Sequence, residues 1–456
     1  MNSVLSVILT LLFIGIVVWL GLKKYNSVFV FMMSGILVLL LSALITGQSI
    51  LGEETTGNVV VDVFTYTTKT FSTNASGVGL TLMMVTGYAI YMSHIGASTK
   101  LAYLAMHPLS KIKNPYIVLS FLFIIGAFLK MVITSHAGLG MLLMAVAFPI
   151  LTSLGISKLS AATAVIMCGL LDWGPNDSSA IFAAEKVAKM PMMEYFLTYQ
   201  FKVGLVLLLI CAIFLPIYLK RMDQKAIVGG AGPEKAVQPE DVSCPAFYAI
   251  LPIVPLVLIT VFSFIPSIKM DVVTANLLGM CFVFLLEITR RKDRKAVTSD
   301  MTVVFKAMGN SFASVVSILI GAAVFAEAIQ LLGGITIISK VLATVKSAPI
   351  ITMTLMSLIT LLAGMLLGSG NASWYAFGPL VPDVTAQMGV STATISVPMQ
   401  LSSGIGRCMS PVAGVVIAIA GMLEVDVMDI VKRTSVPATL MFLCNLVVSY
   451  LFVCVF

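Results

Sequence analysis

The chain has 456 residues, of which 59% are Ala, Val, Ile, Leu, Met, Phe, Trp, Tyr or Cys and only 10% are charged, with a mean hydropathy of +1.06. A soluble domain carries about 25% charged residues, so these side chains cannot build a water-facing surface for a chain this long, and a soluble enzyme, a nucleic-acid binder and a disordered protein are excluded. The net charge of +7 then points to cytoplasmic membrane loops, where Lys and Arg accumulate, rather than to acidic partners.

The first apolar run, Val4 to Leu22, lacks a basic leader and stops at Lys23-Lys24, so it predicts a retained spanning helix rather than a cleaved signal. Further spans are expected at 27–46, 77–96, 196–219, 246–266, 270–287, 310–331 and 433–454. Two pairs of shorter arms, 115–133 with 138–153 and 347–367 with 372–388, meet at small polar tips. Each pair is followed by an interrupted segment, at 159–188 and 393–420. Between the halves, KRMDQKAIVGGAGPEKAVQPEDVSCP (220–245) is rich in Gly, Pro and charge and predicts a solvent-exposed linker. The seven cysteines lie mostly in apolar runs without CxxC spacing, so neither a disulfide framework nor a metal site is expected.

The halves share a rhythm. A shift of 234 carries Gly87 to Gly321, Pro115 to Pro349, Ser135 to Ser369 and Gly155 to Gly389, and a shift of 236 carries Pro175 to Pro411. Glycine and proline mark places where the backbone is specified, so their register indicates an internal duplication. If each arm pair is a re-entrant hairpin, each half crosses the membrane five times, and an odd number inverts the second half. With the amino terminus outside, 18 of the 27 Lys and Arg fall on the inner side and six on the outer, the bias that positive-inside sorting gives. The expected fold is therefore an all-α polytopic membrane protein of two inverted repeats, 1–219 and 246–456. Each repeat has five transmembrane helices plus a re-entrant hairpin (115–153 and 347–388), and the broken helices meet at mid-membrane.

The tips read Thr134-Ser135-His136-Ala137-Gly138 and Gly368-Ser369-Gly370-Asn371-Ala372-Ser373. Non-helical backbone at membrane depth is tolerated inside protein or beside a water-filled cavity. The free N–H groups that begin each second arm suit a carboxylate. In the interrupted segments, Pro175 and Pro411 each remove a helix hydrogen bond. Arg407 beside the second break can pair with a carboxylate, and Asp172 and Asp177 flank the first. The competing reading of these charges is a structural pair between Asp177 and Arg407. Lys130 and Lys202 are expected to snorkel to the membrane surface, and Trp173 and Trp374 to sit in an interfacial belt. Walker, HExxH and Ser/His/Asp patterns do not occur, so nothing points to ATP hydrolysis or to an enzyme.

With these residues in view, the sequence resembles the anaerobic C4-dicarboxylate carriers of the DcuC type, within the wider ion-transporter superfamily. The resemblance runs over nearly the whole chain and is carried by GSGNASWYAF (368–377), GRCMSPVAGVVIAIAGM (406–422), IVKRTSVP (430–437), AFYAILP (246–252) and YMSHIGA (91–97). It implies cation-coupled transport, exchange or efflux of succinate, fumarate or malate across the bacterial cytoplasmic (inner) membrane. Ser369, Gly370, Asn371 and Ala372 match the family's second tip, and Gly406, Arg407, Ser410, Pro411 and Gly414 match its second break. The first half departs: where such carriers commonly read Pro-Thr-Ser-Gly-Asp, this chain has Pro175-Asn176-Asp177-Ser178-Ser179, with the acid two places earlier.

The expected substrate site comprises Ser135, His136, Ala137, Gly138, Ser369, Gly370, Asn371, Ala372, Arg407, Ser410 and Pro411. The coupling ion, Na+ or H+, is assigned to Asn176, Asp177 and Ser178, and no metal or organic cofactor is expected. Expected partners are a small dicarboxylate, the lipid bilayer and a second copy of the chain in a homodimer, with no nucleic acid. The alternatives are a carrier of the same architecture for another small solute, such as a basic amino acid or an aminobenzoyl-dipeptide, and a Na+/H+ antiporter working through Asp172 and Asp177.

Overall fold

The computed structural model describes residues 3–455 except 24, 47–48, 113, 229–243, 264, 266–267, 269, 334–336 and 338–347. All regular structure among the described residues is helical. Among the described residues, eight helical stretches are long and apolar enough to cross a membrane. Large apolar side chains project outward around them, among them Ile8, Leu44, Ile213, Leu285 and Phe305, each more than half exposed. Lipid satisfies such an exterior and water does not.

Ser3–Leu22 and Ser27–Thr46 are apolar on nearly every face, as spans are. The third span is longer than its sequence signal. Instead of 77–96, a helical rod runs over Val59–His94, and its counterpart runs over Arg294–Leu332 rather than 310–331. The leading halves of the rods, VVVDVFTYTTKTFSTN and MTVVFKAMGNS, mix Thr, Ser, Asn and Lys with apolar residues, so a hydropathy window passes over them. Asn58 starts the first rod by accepting from the backbone N–H of Val60 and Val61 at 2.9 and 3.2 Å. Each rod is interrupted by one wide turn, at Ala75–Gly79 and Phe312–Val316. At 1.5 Å per residue, the 36 residues of the first rod reach well beyond a hydrocarbon core about 30 Å thick. The rods meet where the Thr86 hydroxyl donates to Ser311 Oγ at 3.2 Å.

The first hairpin consists of Pro115–Lys130 and His136–Ser153. Asn114 caps its first arm and Ser135 its second, each by accepting backbone N–H groups that the helix start leaves free. The second hairpin consists of Ala348–Leu367 and an arm that bends at Gly378-Pro379, giving Gly370–Phe377 and Val381–Met388. Ser369 caps that arm by accepting from Ala372 N at 3.2 Å. Gly368 supplies the left-handed turn (φ +68°) that brings the chain round to it.

The first interrupted segment is Lys158–Met167, an irregular stretch, then helix from Ser178. The second is Ala393–Cys408 followed by Gly414–Leu423. Phe201–Val228 continues helical past position 219, so the start of the expected linker is helix, while 229–243 lies outside the described residues.

Three apolar cores organise the chain. The largest joins both hairpins, both interrupted segments and the helices Phe201–Val228 and Val427–Ser449. The second joins the two N-terminal helices to the end of the second rod, through Val38, Leu39, Ala322 and Ile329. The third joins the end of the first rod to 246–304, through Tyr88, Tyr91, Tyr248 and Phe284. Hairpins, breaks and the C-terminal helix thus form one block into which both rods reach through Val78, Leu82, Val316 and Leu319, and the N-terminal helices pack largely outside it. Inside the block the second hairpin approaches its neighbour at backbone distance: a Cβ on Gly364 would lie 2.7 Å from Ser403 O, and one on Gly406 2.2 Å from Leu361 O. Small residues at such crossings are how helices associate without a hydrophobic drive between them.

Candidate functional site

The four irregular segments converge. The first tip meets the first break where the buried His136 ring lies against Gly169 and its Nε2 is 2.9 Å from Ile166 O. A side chain at Gly169 would collide with that ring, since its Cβ would lie 2.1 Å from His136 Cδ2. The second tip meets the first break where Asn371 Nδ2 donates to Ser178 Oγ at 3.0 Å. It meets the second break where Gly368 packs on the backbone of Val412. The two breaks meet through Arg407, whose Nη2 donates to Gly169 O and to Asp172 Oδ1, both at 2.8 Å.

Four charges lie at this crossing. Lys130, the last residue of the first arm, places Nζ 2.6 Å from Asp177 Oδ2 and 3.1 Å from Asp172 Oδ1. Asp172 Oδ1 is therefore shared between Lys130 and Arg407. Counted as ionised, the quartet is neutral, the condition under which buried charge is tolerated. This corrects two expectations. Lys130 does not snorkel: its side chain is 1% exposed and turned inward. Arg407 pairs with Asp172, and Asp177 with Lys130, rather than Asp177 with Arg407.

Asp177 is used on both oxygens. Oδ1 accepts from Ser179 N at 2.9 Å, Ala180 N at 3.3 Å and Ser179 Oγ at 2.8 Å, which starts the helix after the break, while Oδ2 takes Lys130. Its neighbours in the coupling-ion assignment are also engaged: Asn176 Oδ1 accepts from Asn276 Nδ2 at 3.0 Å, and Ser178 accepts from Asn371. Buried polar atoms without a partner among the described residues include, in the crossing, Asp172 Oδ2, Arg407 Nε, Asn371 Oδ1 and His136 Nδ1. A buried orphan of this kind calls for a further polar group, and these four belong to the first break, the second break, the second tip and the first tip.

The remaining expected residues divide by exposure. At the first tip Ser135, Ala137 and Gly138 are exposed, and Ser135 Oγ accepts from Gly138 N at 3.1 Å. At the second tip Gly370 and Ala372 are buried while Ser369 and Asn371 are half-buried. Ser410 is buried and Pro411 exposed at the second break. Gly370 is held against Asp172: a Cβ there would lie 3.1 Å from Asp172 Oδ2.

Several residues here had no sequence assignment. Gln200 and Gln400 both donate to the Asp172 carbonyl, Gln200 Nε2 donates to Gln400 Oε1 at 2.9 Å, and Gln200 Oε1 accepts from Gly174 N at 3.1 Å. This amide ladder satisfies backbone that the first break leaves open. The signal was present as two lone glutamines inside apolar runs. Trp173 and Trp374 are fully buried rather than interfacial: their ring N–H groups donate to Ala127 O at 2.9 Å and Ser179 O at 3.0 Å, tying the first break to a hairpin arm on each side. Away from the crossing, Arg433 of the IVKRTSVP string pairs with Asp223 at 3.1 Å, whose Oδ1 also accepts from Ser157 and Ser160, both at 2.6 Å. It closes the block at the start of the first interrupted segment.

Comparison with known proteins places this architecture. Residues 5–454 match the sequence profile of the C4-dicarboxylate anaerobic carrier family, DcuC. The chain is 31% identical over 433 residues to the anaerobic C4-dicarboxylate transporter DcuC of Escherichia coli K12, covering 93% of each chain. It is 32% identical to a probable transporter of that name from Vibrio cholerae, covering 94% of this chain and 95% of the relative. Among solved structures it is similar in fold to Neisseria gonorrhoeae MtrF, described as illuminating a class of antimetabolite efflux pumps, with a TM-score of 0.61, 16% identity and coverage of 97% and 98%. It is similar also to the Alcanivorax borkumensis YdaH transporter, with a TM-score of 0.55, 13% identity and coverage of 94% and 98%. An all-helical, multi-pass membrane chain matched to the family from residue 5 to residue 454, it belongs to the C4-dicarboxylate anaerobic carriers, a family of transporters and not of enzymes.

Proposed function

We propose that the chain carries C4-dicarboxylates such as succinate, fumarate and malate across the bacterial cytoplasmic membrane, by cation-coupled transport or exchange, and that it holds them at the crossing of tips and breaks. The observation that carries this reading is Arg407, a guanidinium buried where both breaks meet, with Nε unpartnered among the described residues. A guanidinium in so dry a place attracts a carboxylate strongly. The backbone N–H groups that open the second arms, at Ser135–Gly138 and Ser369–Ala372, suit the substrate's other carboxylate. Glycine and alanine at both tips let a ligand approach that backbone.

Two inverted repeats, 1–219 and 246–456, account for the paired hairpins and paired breaks. The N-terminal helices pack mostly with the end of the second rod in a core of their own, which supports an elevator-like movement of the hairpin block against them. A Na+/H+ antiporter would need Asp172 or Asp177 free to trade a proton for Na+. Asp177 is instead a helix cap and a partner of Lys130, which favours carriage of an organic anion.

Counterflow in liposomes containing the purified chain tests the proposal. Labelled succinate should accumulate saturably against unlabelled succinate, with competition by fumarate and malate and none by butyrate or arginine. Failure of dicarboxylates to compete, or proton flux driven by Na+ alone, would overturn it.

A further inference from the structure

The first break has the composition of a cation site. Asp172 and Asp177 bring two carboxylates together where helix gives way to irregular backbone, the setting in which a transporter holds a coupling cation. That position is filled from within the chain. Lys130 Nζ donates a charge-assisted hydrogen bond to Asp177 Oδ2 at 2.6 Å and stands within ion-pair distance of Asp172 Oδ1 at 3.1 Å. Both carboxylates and the lysine are at most 2% exposed. The lysine closes the first arm, where the helix's own partial negative charge favours a cation.

The second half shows what this lysine adds. The shift of 234 that relates the halves carries Lys130 to Gly364, which packs against the Ser403 carbonyl without a side chain. The second break, Met409 to Ala413, contains no acid. A lysine therefore closes the first arm only in the half whose break carries carboxylates, while the one cation beside the second break, Arg407, reaches across to Asp172. Without it, two buried carboxylates would face Arg407 alone, one net negative charge in a site closed to water.

We infer that Lys130 is a tethered cation: its ammonium stands between Asp172 and Asp177 where a coupling Na+ would otherwise bind, so the first break needs no Na+. The inference rests on the carrier reading for its consequence, because it makes dicarboxylate movement independent of Na+ at this site. Its structural content is independent of the substrate. Lys130 is a positioning residue here, holding the first break in shape for Arg407 and the tips.

The test removes the tether and returns a cation from solution. The full-length wild type, Lys130→Ala and Lys130→Arg are melted in detergent and assayed for succinate counterflow in liposomes, with choline, Na+ or propylammonium as the cation. Propylammonium replaces the atoms that Lys130→Ala deletes. The wild type should melt and transport alike in all three media, and Lys130→Arg, which keeps a fixed cation, should gain nothing from Na+ or propylammonium whatever its basal flux. Lys130→Ala should lose about tenfold or more of its flux in choline, with Na+ or propylammonium raising both its flux and its melting temperature. A wild type whose melting temperature and flux rise saturably with Na+ overturns the inference, and so does a folded Lys130→Ala indifferent to both added cations. If Lys130→Ala folds only when purified in Na+ or propylammonium, the inference is upheld; if it fails to fold in every medium, a structural role explains it and the inference is lost. A wild type with no succinate flux in any medium sinks the carrier reading, and the melting arms still decide the role of Lys130.

Discussion

The two breaks share a backbone plan and differ in what holds them. At the first, charge and amides do the work: Asp177 caps the following helix, Lys130 bridges the aspartates, and Gln200 and Gln400 take the open carbonyl of Asp172. At the second, small neutral residues suffice. The backbone of Val412 and Ala413 passes close under Gly368, and Arg407 reaches away from its own break to the opposite one. The comparison teaches that one half supplies a frame of ion pairs and a helix cap that keeps one net negative charge, while the other supplies a compact backbone surface and the guanidinium that neutralises it. A duplicated chain can in this way divide the tasks of staying folded and of meeting an anion.

Breaking the charged side should have the largest effect. Asp172→Asn leaves Lys130 and Arg407 without their shared partner, and removal of one member of a buried ion pair costs about 3–5 kcal/mol. Calorimetry should register that loss, with succinate flux abolished. A buried pair outside the crossing gives the control. Arg433→Gln withdraws the cation from Asp223 but leaves it the hydroxyls of Ser157 and Ser160, so stability should fall by about 2 kcal/mol while the KM for succinate is unchanged. A raised KM would extend the site to the Arg433 latch.

The neutral side should respond more gently and more selectively. Asn371→Ala deletes the bond to Ser178 that ties the second tip to the first break. It should cost about 1 kcal/mol of stability and raise the KM for succinate several-fold. The caps provide the smallest and most comparative effect. Ser369→Ala and Ser135→Ala each remove one cap bond, worth about 1 kcal/mol or less. The half-buried Ser369 should matter more for flux than the exposed Ser135. Equal effects in a flux assay would contradict the division of labour between the halves.

The places where helices stop were legible in the sequence, because Pro175, Pro411, Gly368 and the Ser-rich tips specify backbone directly. The rods were half legible: their apolar ends were marked as spans, but their Thr-rich leading halves resemble loops to any measure based on hydropathy. Pairing across the crossing was not legible. Arg407 was identified as a site residue, yet its partner is decided by which break it faces, and that depends on how two hairpins 234 residues apart pack together. Lys130 was misread because an isolated lysine at the end of an apolar arm is ordinarily near the membrane surface, and only the tertiary arrangement sets two carboxylates in front of it. The tryptophans were misread for a similar reason: an indole N–H finds a carbonyl as well at a buried helix break as water at an interface.

Calorimetric titration of succinate into the wild type and into the double variant Ser369→Ala/Asn371→Ala tests most directly whether the crossing holds the dicarboxylate. Both changes are neutral and leave the ion quartet intact. The account predicts saturable binding to the wild type, displaced by fumarate and not by butyrate, and affinity about tenfold or more weaker in the double variant, which still melts cooperatively. Equal affinity in the two proteins, or butyrate binding as well as succinate, would contradict it.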